Sequence, residues 1–211
     1  MVVNGNLALD GRISANGGTA VGLASGGGSG GSLWLRGGKL TGAGSISANG
    51  GAGDLPYGGG GGGGRIAVSS NTNQFNGVMS AHGGPGAVVG AAGTVLIESA
   101  PNLANEQVIV DNGGSPAVAT TLLSIAFSTD LTVSGGAKAG LGASTLRNLL
   151  VTSNSWLTIT NWGGYLTITS NATVQAGGGI TLDGLGSPGG AGTGAGHSLS
   201  SPPGLTGSGG G

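Results

Sequence analysis

The chain of 211 residues contains 53 glycines, only 6% charged residues, no cysteine and a net charge of −1. Six dispersed cations exclude a nucleic-acid binder that depends on counterion release, and the lack of cysteine excludes disulfides, thiolate metal sites and thiol nucleophiles. Seven prolines without a strict glycine triplet exclude collagen, and no apolar run is long enough for a transmembrane helix.

An internal repeat organises residues 1–100. The segments GRISANGG, GSISANGG and GVMSAHGG begin at residues 11, 44 and 77 and align without gaps, which gives a 33-residue period. A second set accompanies them: GGSLWL (30–35) and GGRIAV (63–68) recur at the same offset, and GTVLI (93–97) follows at a slightly shorter spacing. Such self-similarity is the signature of a repeat architecture.

Each repeat holds two short stretches in which apolar residues alternate, which predicts β-strands and not helices. In a parallel β-helix, equivalent residues of successive coils lie about 4.8 Å apart. The sequence therefore predicts an interior apolar ladder of Ile13, Ile46 and Met79. A polar ladder of Asn16, Asn49 and His82 is predicted at a corner.

Glycine-dense stretches such as residues 50–64 separate the predicted strands. A 33-residue extended path spans roughly 110 Å, so part of each repeat must leave the solenoid. Two interpretations remain open: flexible surface loops, or extended polyglycine-II-type helices that pack side by side. The second requires many hydrogen bonds, because glycine loses more backbone entropy on ordering than any other residue.

Residues 101–176 are poor in glycine and predict a β-solenoid segment of shorter turns, since Leu131 and Leu149 recur at little more than half the earlier spacing. Five strand-like stretches carry this prediction: 107–112, 130–136, 148–154, 156–161 and 165–171. Residues 177–211 are predicted to start a further glycine-rich repeat, because 172–190 is similar to 2–18. The three segments are expected to form one continuous all-β fold, a right-handed parallel β-helix.

The N-terminal residues lack the basic start and apolar stretch of a signal peptide and begin inside a strand-like pattern. We therefore expect a piece of a longer protein, or a mature form without its leader.

Several stretches resemble one family. GGGSGGSLWLRGGKLTGAGSISANGG (26–51), YGGGGGGGRIAV (57–68), AAGTVLIES (91–99) and VIVDNGG (108–114) resemble the repeats of very large, glycine-rich bacterial surface or exported proteins. The resemblance covers roughly residues 2–114. It implies a secreted or cell-surface location and a role as a β-helical stalk, adhesin or matrix component.

The acidic residues predict structural roles. They are scattered singly, and none sits at the repeat offset that would stack it on another: Asp10, Asp54, Glu98, Glu106, Asp111, Asp130 and Asp183. Asp10 and Asp183 each precede a glycine, which predicts that they are turn residues. His82 is predicted to be the last member of the polar ladder. His197 lies in a stretch rich in Gly, Ser and Pro. We expect no catalytic residue, no cofactor-binding residue and no metal ligand.

The sequence thus predicts a non-enzymatic extracellular structural protein that associates end to end into filaments or as tandem copies, without a nucleic-acid partner or transmembrane segment. The alternative is an adhesin or carbohydrate-binding β-helix with glycan partners, because Trp34, Trp156, Trp162 and Tyr57 could stack on sugar rings. A polysaccharide-degrading enzyme is a further alternative. So is an ice-binding protein, through the pairs Thr158/Thr160 and Thr167/Thr169.

The scattered acids and missing thiols generate a first prediction. Chelation should leave folding unchanged, because no metal contributes to stability. Thermal unfolding in EDTA and in buffer should give the same midpoint. A midpoint many degrees lower in EDTA would reveal a cation site.

Overall fold

A computed structural model describes residues 1–99, 106–125, 128–161 and 164–186, and these ranges are all β. The predicted continuation of residues 177–211 lies mostly outside them, as do Trp162 and His197. Within the described ranges there is no helix, and hence no helical candidate for crossing a membrane.

Most strands are short, although β3 and β5 have 11 residues each, and in several of them more and less buried side chains alternate. Their bounds are β1 Val2–Ala8, β2 Arg12–Ser14, β3 Ser32–Gly42, β4 Ser45–Ser47, β5 Arg65–Phe75, β6 Val78–Ser80, β7 Thr94–Ser99, β8 Gln107–Asp111, β9 Thr121–Leu123, β10 Thr129–Ser134, β11 Lys138–Leu141, β12 Ser144–Val151, β13 Trp156–Ile159, β14 Leu166–Ile168, β15 Ala172–Val174 and β16 Gly179–Thr181.

Three sheets contain these strands. The long sheet has the order β1-β3-β5-β7-β8-β10-β12-β14, with β15 also paired to β12; a four-stranded sheet has the order β16-β13-β11-β9, and a three-stranded sheet the order β2-β4-β6. Neighbouring strands are parallel except at β7 and β8, which are antiparallel. The prediction of an all-β fold is confirmed, with mostly parallel sheets.

The register in the first half follows the sequence repeat. Ile13 pairs with Ile46 and Ile46 with Met79, which confirms the predicted ladder. Ile66 pairs with Leu33 of the preceding repeat and with Val95 of the following one. Equivalent residues therefore stack because the repeats have closely similar path lengths between their strands.

Layers in the second half are shorter. Leu131 pairs with Leu149, as predicted, and Leu149 pairs in turn with Ala172. The predicted strands are present, with ends shifted by a few residues. The two Thr pairs do not form one array, because Thr158 belongs to the four-stranded sheet and Thr167 to the long sheet.

The hydrophobic core changes face where the strand direction reverses. Val95 of β7 and its partner Ile109 of β8 belong to the core of the first half, with Ile46, Ile66 and Val68. The adjacent residues Leu96 and Val108 also pair, but they pack in the core of the second half, with residues such as Leu131 and Leu157. Since neighbouring side chains of a strand point to opposite faces, the two cores lie on opposite sides of the long sheet.

The stacked ladder generates a second prediction. Ile46 is 0% exposed between Ile13 and Met79, so Ile46→Asp would bury an unpaired charge and lower the free energy of unfolding by about 3 kcal/mol or more. Val78→Asp, at an exposed residue of the adjacent strand, is the matched control and should cost far less. Urea unfolding of both variants measures the difference. Equal stability of Ile46→Asp and the native chain would place Ile46 outside the core.

Candidate functional site

The glycine-rich stretches form an ordered part of the molecule, here called the glycine array. Three outgoing segments follow strands β2, β4 and β6 and comprise residues 15–20, 48–54 and 81–87. Three returning segments lead into β3, β5 and β7 and comprise residues 25–31, 58–64 and 88–93. Each repeat thus contributes one outgoing and one returning segment, which together form one layer of the array.

Within a layer the two segments are antiparallel and joined by backbone hydrogen bonds at every third residue. In the second layer Gly58, Gly61 and Gly64 donate to the carbonyl oxygens of Asp54, Gly51 and Ala48, at 2.5, 2.9 and 2.7 Å. The first layer repeats this pattern, with Gly28 donating to Gly18 and Gly31 to Ala15.

Different residues of the same segments bond to the layers on either side. Gly27 and Gly30 donate to Gly59 and Gly62 of the next layer, each at 2.9 Å. Gly60 and Gly63 donate in turn to Val88 and Ala91 of the third layer, at 2.9 and 2.8 Å. Amides three residues apart therefore face the same neighbour, the periodicity of an extended helix with three residues per turn.

This packing leaves no space for side chains at the contacts. A Cβ atom on Gly61 would lie 2.0 Å from the carbonyl oxygen of Gly28, and one on Gly64 would lie 1.9 Å from that of Gly31. A Cβ atom on Gly59 or Gly62 would approach other backbone no closer than 3.8 Å. The tract needs glycine at the contacts because backbone directly touches backbone there.

The polar ladder closes the corner of the array. The Asn16 Oδ1 atom accepts from the Asn49 amide, and the Asn49 Oδ1 atom accepts from the His82 amide, both at 2.8 Å. Asn112 bonds in the opposite direction, since its Oδ1 atom accepts from the Gly83 amide of the preceding layer at 2.8 Å. Each of these asparagine side chains thus satisfies a backbone donor one layer away, and the predicted ladder of Asn16, Asn49 and His82 is present at the corner.

Asn112 joins the glycine array to the second half of the molecule. It is buried, and its Nδ2 atom donates to the carbonyl oxygens of Gly90 and Ser115, at 3.2 and 2.7 Å. Because both polar atoms of its side chain are bonded to backbone, Asn112 fixes the spacing between the last glycine layer and the turn after β8.

The imidazole of His82 lies beside the carboxylate of Asp111. The sequence analysis did not predict this contact. His82 Nε2 is 3.0 Å from Asp111 Oδ1, which also accepts from the Gly113 amide at 2.8 Å, and Ser134 donates to Asp111 Oδ2 at 2.5 Å. The hydrogen bond from His82 holds the pKa of Asp111 well below its usual range, and Ser134 and Gly113 add to this against the effect of burial. The sequence contains one indication of this contact. His82 and Asp111 are separated by the same number of residues as Ile66 and its strand partner Val95.

Ser134, Asp111 and His82 do not have the relation of a hydrolase triad. Both Ser134 and His82 bond to the same carboxylate, whereas a nucleophile must bond to the base that takes its proton. The arrangement links β8, β10 and the end of the glycine array.

A second polar cluster lies on the long sheet. Arg147 binds Asp130 through two parallel hydrogen bonds, Nε to Oδ1 at 2.8 Å and Nη2 to Oδ2 at 2.6 Å. Asn148 also donates to Asp130 at 2.8 Å, and the Asn171 amide donates to Asn148 at 3.1 Å. The hydrogen bond from Arg147 is the main cause that lowers the pKa of Asp130, and the same bond raises the pKa of Arg147.

Other acids also bond across layers. Asp10 accepts from the Ala43 amide at 3.0 Å, Asp54 from the Ala24 amide at 2.8 Å, and Glu106 from the Thr129 hydroxyl at 3.0 Å. Among the described residues no three His, Asp or Glu side chains come together as a metal site would require.

The candidate sugar-stacking residues are exposed at separate places. Trp34 lies on β3, Trp156 on β13, and Tyr57 between two segments of the glycine array. Of these three, Trp156 borders a depression together with hydroxyl-bearing side chains.

Comparison of the chain with family models, with curated proteins and with solved structures gives no match.

The close approach in the glycine array generates a third prediction. Gly61→Ala should lower the free energy of unfolding by about 1–3 kcal/mol, because the new Cβ atom would force Gly28 and its neighbours apart. Gly18→Ala is the matched control, since nothing lies within 4 Å of a Cβ there; it should be neutral or stabilising by less than about 1 kcal/mol. Urea unfolding measures both, and equal values would contradict the described packing.

The Asp130–Arg147 pair generates a fourth prediction, on acid stability. A carboxyl whose pKa is lowered in the folded state binds fewer protons there than in the unfolded chain, so stability should fall as the pH drops below about 4. Asp130→Asn should make this fall shallower, and so should Arg147→Met. Unfolding free energies measured between pH 2 and 6 test this. A slope in Asp130→Asn as steep as that of the native chain would contradict it.

Proposed function

We propose that this chain is a non-enzymatic structural segment, a stalk or filament-forming β-solenoid of an exported cell-surface or matrix protein. The observation that carries the proposal is the layered stack itself. In the first half, strands, glycine segments and polar side chains all bond to the next layer at the same repeat step, so the molecule is built by addition along one axis.

The proposed solenoid is a right-handed parallel β-helix. Between β7 and β8 the strand direction reverses and the core moves to the other face of the long sheet. Either change alone would reverse the sense in which the chain turns about its axis, and both together preserve it. One hand along the whole length then agrees with the general preference for right-handed crossovers.

The glycine array is proposed to be a polyglycine-II-like lobe of this solenoid. The support is the three-residue period of its hydrogen bonds and the contact of backbone with backbone at Gly61 and Gly64. Such a lobe stiffens a stalk, because each layer of the first half is bonded to the previous one along two structures, the sheets and the array.

End-to-end association is part of the proposal. Within the described ranges β1 pairs only with β3, and β2 only with β4, so both leave a free edge on the same side. Gly28 and Gly31 are exposed there, whereas their equivalents one layer further, Gly61 and Gly64, are buried. A free edge of this kind is a template for another layer, and a head-to-tail contact that does not close gives a filament.

The location and the family also belong to the proposal. The stretches between residues 2 and 114 that resemble glycine-rich exported repeats support a secreted or cell-surface protein. Structural surface proteins of this type need rigidity and length, which a stacked solenoid supplies.

Electron microscopy and light scattering of the purified chain test the association. Fibres are expected, with a scattering mass that rises with concentration. Ile13→Lys should shorten or abolish them, because it places a charge on the free end of the apolar ladder. Leu23→Lys is the control, since Leu23 is 98% exposed in a loop and should leave the fibres unchanged.

A native chain that stays monomeric at high concentration would overturn the association. Fibres that form equally well with Ile13→Lys would overturn the assignment of the first layer as the contact.

A further inference from the structure

The outer face of the four-stranded sheet contains a depression bordered by an aromatic ring. Leu141, Leu157 and Ile159 point from this sheet into the core. The alternate residues point outward, and a depression of about 230 Å³ lies among them. Its lining, here called the notch, consists of Thr120, Lys138, Ala139, Trp156, Thr158 and Thr181.

The indole of Trp156 lies against Gly179 beside the notch. Trp156 pairs with Gly179 of β16, and a Cβ atom on that glycine would lie 2.4 Å from Cζ3 of the indole. The ring therefore lies across Gly179, which leaves it room only because it has no side chain. Trp156 nevertheless remains 42% exposed and contributes to the notch.

Of the described residues that line the notch, Lys138 alone carries a formal charge. It pairs in register with Trp156 on the neighbouring strand, so the two side chains border the depression together. Among the described residues Lys138 has no ion pair and no side-chain hydrogen bond, and no carboxylate lines the notch. An ammonium group beside an apolar ring favours an anionic ligand that also has an apolar face.

Three threonines complete the lining. Thr120, Thr158 and Thr181 border the same space and present mainly apolar surface to it, and the Thr158 hydroxyl donates to the carbonyl oxygen of Ile159 at 3.3 Å. A ligand with an apolar face that covers the ring and this surface would match the arrangement.

We propose that the notch binds a hexuronate residue of an acidic polysaccharide. A pyranose ring with equatorial substituents presents a face of C–H groups, which packs on the negative face of the indole. Its carboxylate would pair with Lys138, and its ring hydroxyls would remain at the rim in contact with water. A neutral sugar would leave Lys138 without a partner, and a phosphate ion would leave the indole uncovered.

Calorimetric titration with a β-1,4-linked glucuronate tetrasaccharide tests the proposal. Cellotetraose is the matched neutral ligand, because it has the same linkage with a hydroxymethyl group in place of each carboxylate. The acidic ligand should bind, its affinity should fall with added salt, and the neutral ligand should bind about tenfold more weakly, as the loss of a charged hydrogen bond predicts. Absence of binding by the acidic ligand, or equal binding of both, would overturn the proposal.

Three variants locate the site. Trp156→Ala should abolish binding, and Lys138→Gln should remove the preference for the acidic ligand. Trp34→Ala is the control, because Trp34 is a similarly exposed tryptophan of another sheet and should bind as the native chain does. Thermal unfolding verifies that each variant is folded, and Lys138→Gln keeps the test decisive if Trp156→Ala does not fold.

Retention of native affinity by Trp156→Ala, or its loss in Trp34→Ala, would place any binding elsewhere. These outcomes are read independently of fibre formation by titrating at a concentration at which light scattering shows single chains, since Thr181 of the notch lies on the edge strand β16.

Discussion

Backbone hydrogen bonding between successive layers is the constraint on which the rest of the structure depends. The same repeat step brings Ile46 over Ile13, Gly59 close to Gly27 and Asn49 over Asn16. Because the sheets and the glycine array share this step, a one-residue error within a strand or a glycine segment would break its register. The loop between an outgoing and a returning segment can change length, since fewer residues separate Ile66 from Val95 than Leu33 from Ile66. The shared step explains how so many glycines can be ordered: their entropy cost is offset by hydrogen bonds that form cooperatively with the sheets.

The junction between the halves shows how such a stack can change its layer length. The glycine array ends where the third layer meets Asn112, whose amide replaces the next glycine segment as acceptor and donor. Asp111 binds the imidazole of His82 beside it. The reversal between β7 and β8 then moves the core to the opposite face of the sheet. The shorter layers that follow have shorter connections in place of the glycine array, such as the three residues between β10 and β11.

Much of this could be predicted from the sequence, for a specific reason. Ladder members such as Ile13, Ile46 and Met79 occur at a constant spacing, and a parallel stack converts spacing directly into contact. The acids were less predictable. Asp130 meets Arg147, and Asp111 meets His82, across layers of different length, so no single offset relates them.

The sequence by itself determined the β class, the ladder residues and the repeat step, because alternation and periodicity are local properties of the chain. Only the tertiary structure decided between flexible loops and an ordered glycine array, since glycine has no side chain whose pattern could reveal its neighbours. It also decided the change of core face at Val95 and Leu96, because both faces of that strand are apolar. The notch beside Trp156 depends on Lys138 and Thr181, which are distant in sequence and come together only through the pairing of β11, β13 and β16.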